Sequence, residues 1–202
     1  METAHEVAIK LVLFSVIDGQ LMLYLPARKI PRTYLRFGHT LEDELNHLIT
    51  QSGFSDAHAF NEQLYTISDG GTKSHSISVV YYMLMAQHMI SSGKRVGWVG
   101  LAGLEGKLPD DQILVYAIQR LQWKIEYTNV VYSLLPHDFT LGELQRVYEA
   151  ILDRKLDKRN FRKKILSLHM LVDTGRKTTH GRARPAEIYR FKKREPTIVE
   201  VL

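Results

Sequence analysis

The 202-residue chain has no cysteine, no apolar run long enough to span a bilayer and no low-complexity tract. Without a thiol it can form no disulfide, no cysteine-ligated zinc finger and no cysteine nucleophile, and it fits a reducing compartment. The longest apolar stretch, Ile9 to Ile17, is broken by Lys10 and Ser15 and falls far short of the ~20 residues of a membrane helix. Met1 to Glu6 is polar and carries acids, unlike the basic start of a secretory signal. The expectation is a soluble cytoplasmic protein with no membrane partner.

What is present is an ordinary globular composition, 45% hydrophobic and 24% charged, long enough for two small domains. The net charge of +5 is unevenly spread. His137 to Arg194 hold 16 Lys and Arg against 7 Asp and Glu, whereas residues 1–136 hold 11 against 13. A cationic end on a near-neutral body raises local affinity for polyanions. A merely solvated basic surface is the alternative that charge alone leaves open.

The N-terminal two-thirds reads as α+β. Val7, Ile9, Leu11 and Leu13 alternate with other residues, Asp18-Gly19 turns, and Gln20 to Leu25 continues, which is the pattern of a β-hairpin. Leu41, Leu45, Leu48 and Ile49 lie at helical spacing within Thr40 to Ser52, and Gly53 stands where a helix stops. Glu62 to Ser68 and Ile77 to Ala86 read as strands joined by a turn at Asp69-Gly70-Gly71. Gly93 to Gly106 reads as strand plus loop. Ile113, Leu114, Ala117, Ile118 and Leu121 mark an amphipathic helix from about Asp110 to Tyr127, taken as a connector whose stripe packs on the first domain or on a partner subunit.

The last third predicts a winged helix-turn-helix. Thr140 and Glu143 make a capping box, and Leu141, Leu144, Val147, Tyr148 and Ile151 form one apolar face. A short connection, Asp153 to Leu156, leads to a helix capped by Asp157, with Phe161, Ile165 and Leu168 facing inward. Val172 to Gly175 then turns into a basic loop, Arg176 to Arg184, before a strand from Glu187 to Phe191. A helix fits the major groove of double-stranded DNA. Arg159 and Arg162 suit guanine and Asn160 suits adenine, while Lys158, Lys163, Arg176, Lys177, Arg182 and Arg184 suit phosphates. With Thr140 these are the candidate DNA-binding residues. A charged helix in a domain with another task, or an RNA-binding or interaction domain, is the competing reading. The lack of exposed aromatics on the basic helix speaks against single-strand stacking.

The segment from Asp110 to Phe191 resembles the C-terminal part of the Nudix-related transcriptional regulators. The resemblance is carried by Lys124-Ile-Glu-Tyr127, Leu134-Leu-Pro136, Phe139-Thr-Leu-Gly-Glu-Leu-Gln145, Tyr148-Glu-Ala-Ile151, Leu156 through Leu166, Thr174-Gly175, Arg184-Pro-Ala186 and Tyr189-Arg-Phe191. The opening hairpin, Glu62-Gln-Leu-Tyr-Thr66 and the long strand after it resemble a Nudix domain more loosely. The resemblance implies a Nudix-like α/β/α sandwich domain followed by a winged helix-turn-helix domain. The expected division is a ligand-sensing domain at 1–108, a helical connector at 109–134 and a DNA-binding domain at 135–195. It further implies a homodimeric regulator of a DNA operator that responds to a nucleotide or sugar metabolite.

Active Nudix hydrolases carry G-x5-E-x7-R-E-U-x-E-E-x-G-U, whose glutamates hold divalent metal against a diphosphate. Anchored on Gly53-Phe54, this chain has Asn46 at the arginine position, His47 at the next glutamate, and Thr50 and Gln51 for the paired glutamates. Gly38 or His39 replaces the first glutamate. Glu42, Asp43 and Glu44 sit at helix-start positions that favour the dipole. His39, His47 and His58 have no recognised ligand spacing, and Ser74-His75-Ser76 is an isolated triplet. The expectation is no catalytic residue, no metal and no cofactor; the alternative is a hydrolase of ADP-ribose or a related nucleoside diphosphate derivative. Arg28, Lys29, Arg32 and Arg36 cluster where related domains hold the phosphate side of a ligand. Arg28, Arg32 and Arg36 are the candidate ligand-binding residues for a phosphorylated effector, with ADP-ribose or a nucleotide sugar favoured by the resemblance. A solvated loop is the alternative, and Tyr34 and Phe37 are either base-stacking or core.

Overall fold

The computed structural model of the protein describes residues 6–55, 59–70, 75–91, 96–101, 104, 111–178 and 185–201. Strand β1 (Glu6–Ile17) and β2 (Gln20–Tyr24) form the expected hairpin. Asp18 at φ 51° and Gly19 at φ 81° make a turn whose twist matches that of the strands. β3 (Arg32–Tyr34) returns antiparallel to β1. β4 (Phe60–Gly70) and β5 (His75–Leu84) form a second hairpin, and β5 lies parallel to β1. β6 (Trp98–Gly100) adds to β2, giving the order β4-β5-β1-β2-β6. Asp69 and Gly70, expected in the turn, pair with Ser76 and His75, so the ladder runs further than the glycines suggested. The rest of that turn lies outside the described residues.

β1 is buried on both faces because a helix covers each side of the sheet. Helix α1 (Leu41–Gln51) packs Leu45, Leu48 and Ile49 against Ile9, Leu11 and Leu13. Helix α2 (Asp111–Tyr127) packs Ile113, Ala117 and Leu121 on the face carrying Val12, Phe14 and Leu23. The stripe of α2 therefore covers the chain's own sheet. Val115, Tyr116 and Trp123 remain exposed on its other side. The result is the α/β/α sandwich. No helix among the described residues is long and apolar enough to cross a membrane.

The second unit holds helix α3 (Leu141–Leu152), helix α4 (Lys158–Ser167) and a three-stranded sheet in the order β7-β9-β8. β8 (Leu171–Thr178) and β9 (Ala186–Phe191) form the wing, and β7 (Phe139–Thr140) joins β9. Arg176 and Lys177, expected in a loop, lie in β8. Gly175 does turn, at φ 69°, but the ladder absorbs it as a bulge between Asp173 and Lys177 and then resumes. One apolar cluster runs from Phe14 and Leu23 through α2 to Leu144, Tyr148 and Phe161. The C-terminal segment returns to α2: Val199 donates to the Tyr127 carbonyl at 2.9 Å, and Val201 is fully buried.

Candidate nucleic-acid interface and effector face

The site begins with the turn between α3 and α4. Asp153 adopts a left-handed conformation at φ 50° and ends α3. Glu149 then accepts from the Leu156 amide at 3.0 Å and from Gln145 at 2.9 Å, while Gln145 also donates to the Leu156 carbonyl. The Leu156 amide first, then Gln145 and Lys155, hold the Glu149 carboxyl below its usual range. Asp157 caps α4 by accepting from the Asn160 amide at 2.8 Å. Phe161 and Ile165 are buried, and Phe161 meets Tyr148 edge-on with ring centroids 5.4 Å apart.

With that face inward, Lys158, Arg159, Asn160, Arg162 and Lys163 are all exposed. Among the described residues none of the five side chains has a hydrogen-bond or ion-pair partner. Arg159 and Lys163, one turn apart, stand opposite Phe161 and Ile165. Leu166, exposed at 43%, shares their face and is a position that the inward apolar spacing did not flag. An exposed aliphatic group on such a helix suits a thymine methyl.

The other candidates are distributed differently. Thr140 is engaged in its capping box, accepting from the Glu143 amide at 3.2 Å and donating to its carboxylate at 2.9 Å. Lys177 is exposed on β8. Arg182 and Arg184 lie outside the described residues. Arg176 is bound by Asp138, which also takes Arg190 Nε at 2.5 Å. Arg190 first and then Arg176 hold the Asp138 carboxyl far below the usual carboxylate range. This clamp, which ties the segment before β7 to both wing strands, has no local sequence signature. Arg194 is also structural, donating to the carbonyls of Leu135 at 2.9 Å and Pro136 at 3.2 Å.

Asp138 gives a prediction whose sign is informative. Asp138→Asn raises the net positive charge, so charge alone predicts tighter DNA binding. If the clamp orders Arg176 for a phosphate, binding should instead weaken by roughly threefold to tenfold. We expect weakening, measured by fluorescence anisotropy on duplex DNA.

On the α1 side of the sheet the three arginines separate. Arg28 follows Ala27, both left-handed at φ 59° and 49°, a strained pair of the kind found at ligand sites. Arg28 borders a cavity of about 490 Å³ with Tyr24, Ser52 and Gly97. Gly97 has φ 92°, and a Cβ there would sit 3.0 Å from the Tyr24 ring. Arg32 is exposed on β3, its guanidinium 5.9 Å from the Tyr34 ring centroid. Arg36 is engaged: its Nε donates to Glu44 at 2.6 Å. Only Arg28 of the three borders the cavity.

Glu44 stands in the first turn of α1, as expected, but it is fully buried and is an internal partner of Arg36 and His39. Arg36 is the first cause of its lowered pKa. Asp43 completes a capping box with Thr40. Tyr34 and Phe37 are exposed, so neither is core. Asn46, His47, Thr50 and Gln51 are exposed along α1. Among the described residues no group of three His, Asp or Glu side chains is placed to hold a metal; His58 and Ser74 lie outside them.

A further group joins sheet to connector. Glu62 on β4 accepts from the Tyr82 hydroxyl at 2.8 Å and pairs with Lys124 at 2.7 Å and Arg120 at 3.5 Å. Burial pushes the Glu62 carboxyl up, but Lys124 and Tyr82 outweigh it and the net shift is downward. The motifs containing Glu62 and Lys124 thus meet in space, although each was read separately in sequence.

Residues 131–191 match the NrtR DNA-binding winged helix domain family. The chain is 28% identical over 208 residues to the ADPR responsive transcriptional repressor NtrR of Acinetobacter baylyi, covering 91% of this chain and 80% of that protein. Its fold is similar to the crystal structure of Shewanella oneidensis NrtR complexed with a 27mer DNA, with TM-score 0.76 and 26% identity, over 92% of this chain and 93% of that one. A MutT/nudix family protein from Enterococcus faecalis shares the fold at TM-score 0.67 and 17% identity, over 96% of this chain and 90% of that one.

Proposed function

We propose that this Nudix-related transcriptional regulator acts in the cytoplasm as a homodimer. Its α4 helices and β8–β9 wings read a two-fold symmetric operator, and ADP-ribose bound to its N-terminal domain changes operator affinity. We take residues 1–108 as the sensor, 109–134 as the connector and 135–195 as the reader. The observation that carries the reading is the exposed set of Lys158, Arg159, Asn160, Arg162 and Lys163, whose side chains have no hydrogen-bond or ion-pair partner among the described residues, on a helix anchored by buried Phe161 and Ile165. Guanidinium and amide groups held this way meet base edges, while lysines meet phosphates. The similarity to a repressor described as ADPR responsive, and to an NrtR crystallised with DNA, supports the same partners here. Selection from random duplexes should enrich paired half-sites separated by about one helical turn. Enrichment of no duplex motif contradicts the reading.

The sensor is proposed to bind without hydrolysing. His47, Thr50 and Gln51 supply no negative charge where the hydrolase motif needs carboxylates for a hard cation. We expect no turnover of ADP-ribose, NAD or other nucleoside diphosphate derivatives with magnesium or manganese. Turnover that disappears in Glu42→Gln, or in Glu44→Gln with the fold shown intact by circular dichroism, would establish the hydrolase instead.

Arg28, Arg32 and Arg36 are proposed to face the effector phosphates. Replacing Arg32 and Arg36 by alanine should abolish the ADP-ribose response and leave effector-free DNA binding intact. Because Arg36 also pairs with buried Glu44, the pair Arg28→Ala and Arg32→Ala is the cleaner arm. Calorimetry should show ADP-ribose affinity falling by about tenfold or more in that pair. Unchanged affinity would remove Arg28 and Arg32 from effector binding.

A further inference from the structure

A cavity of about 990 Å³ lies on the α2 side of the sheet, at the joint between the sandwich and the winged helix. Its floor is apolar, with Leu21 and Leu23 from β2 and Leu114 and Ile118 from α2. Its other wall is the end of α3 and the turn after it, including Ala150 and Asp153 to Lys155. Arg146 and Arg154 stand at the edge, both exposed, and among the described residues neither guanidinium has a partner. Glu149 does not neutralise them, because its oxygens serve Gln145, Lys155 and the Leu156 amide. Asp153 is the one lining carboxylate without such duties among the described residues.

The geometry points to a second small-molecule site, for an organic anion with an apolar body and a carboxylate, sulfonate or phosphate group. The leucine floor removes the apolar body from water, and an open guanidinium fork matches two anionic oxygens. The volume is at the upper end of the ~300–1,000 Å³ usual for ligand pockets. This site is separate from the proposed ADP-ribose face. Arg36 is held by α1, which packs on one face of the sheet, whereas the cavity opens on the other. An occupant would touch β2, α2 and the turn that leads through Leu156 and Asp157 into α4. Gln122 of α2 already donates to the Ile151 carbonyl at 3.0 Å across this joint. The site is therefore an effector site, a role that rests on the DNA-binding reading.

The test uses the full chain and 8-anilinonaphthalene-1-sulfonate, an apolar aromatic body carrying one sulfonate. Fluorescence titration should show one probe bound per chain. Ala150→Trp, which fills the cavity, and Arg154→Glu, which reverses the charge at its edge, should each weaken binding by about tenfold or more. Arg159→Ala, on the DNA-facing helix, should leave probe binding unchanged. Probe saturation should shift duplex affinity of the parent by about fivefold or more, and that of Ala150→Trp not at all. Circular dichroism checks that each variant folds; should Ala150→Trp fail to fold, the exposed Arg154→Glu carries the comparison. No probe binding, or binding lost in Arg159→Ala and kept in Arg154→Glu, overturns the site. Binding in the cavity without a shift in duplex affinity overturns its effector role. ADP-ribose titrated into Ala150→Trp should still bind, so failure of this site is distinguishable from failure of the sensor reading.

Discussion

Replacing Arg159 and Arg162 together by alanine is expected to collapse operator specificity while leaving weak, salt-sensitive DNA binding. A bidentate arginine on guanine contributes about 1–3 kcal/mol of discrimination. The two residues share one helix face, so their effects need not add, and the pair is expected to cost more than either alone and at most about 6 kcal/mol of specific binding. Their fixed presentation follows from the buried Phe161 and Ile165 beneath them. Lys177→Ala should behave differently. It should weaken all duplexes alike and reduce the slope of log affinity against log salt by about one. Anisotropy with operator and scrambled duplexes, each at several salt concentrations, separates the two behaviours. Equal losses on both duplexes in the arginine variant would remove these side chains from base recognition.

Phe161→Ala is expected to have the largest effect on stability, about 3–5 kcal/mol. Phe161 is 5% exposed and packs edge-on against Tyr148, itself fully buried. Among the described residues the Tyr148 hydroxyl has no hydrogen-bond partner, and burial pushes its pKa up. Apolar contact therefore supplies much of what joins α4 to α3, and a cavity there cannot collapse onto a polar bond. Against a typical stability of about 5–15 kcal/mol this loss is severe. Urea denaturation followed by circular dichroism measures it. Phe37→Ala, at a fully exposed position, should change stability by less than about 0.5 kcal/mol. A similar loss in both variants would contradict the assignment of Phe161 to the core.

Local order was legible wherever backbone chemistry or periodicity is local. Asp18-Gly19 demanded a tight turn, Thr140 with Glu143 demanded a helix start, and the spacing of Phe161 and Ile165 set which side of α4 faces out. The first capping box was harder to see because Asp43 replaces the more usual glutamate or glutamine. Short strands were missed for a different reason. β3 and β7 have three and two residues and exist only because β1 and β9 lie beside them. Gly175 read as a turn into a basic loop, but a bulge lets the ladder resume at Lys177.

Side-chain pairing was the least legible level. Arg36 has the composition of a phosphate ligand and in the fold is held by Glu44. Asp138 and Arg190, and Glu62 and Lys124, are distant in sequence and meet only once the sheet and helices are assembled. No period in a sequence records such pairs. They matter because they determine which cations remain open to a ligand: Arg159 and Arg162 do, whereas Arg176 is shared with Asp138.

The most direct test is a titration of the full protein onto its selected operator duplex, followed by anisotropy, with and without saturating ADP-ribose. Tight binding to that duplex over a scrambled one is expected, with a change in operator affinity of about fivefold or more on adding ADP-ribose. Equal affinity for both duplexes, unmoved by ADP-ribose, would contradict the proposed function.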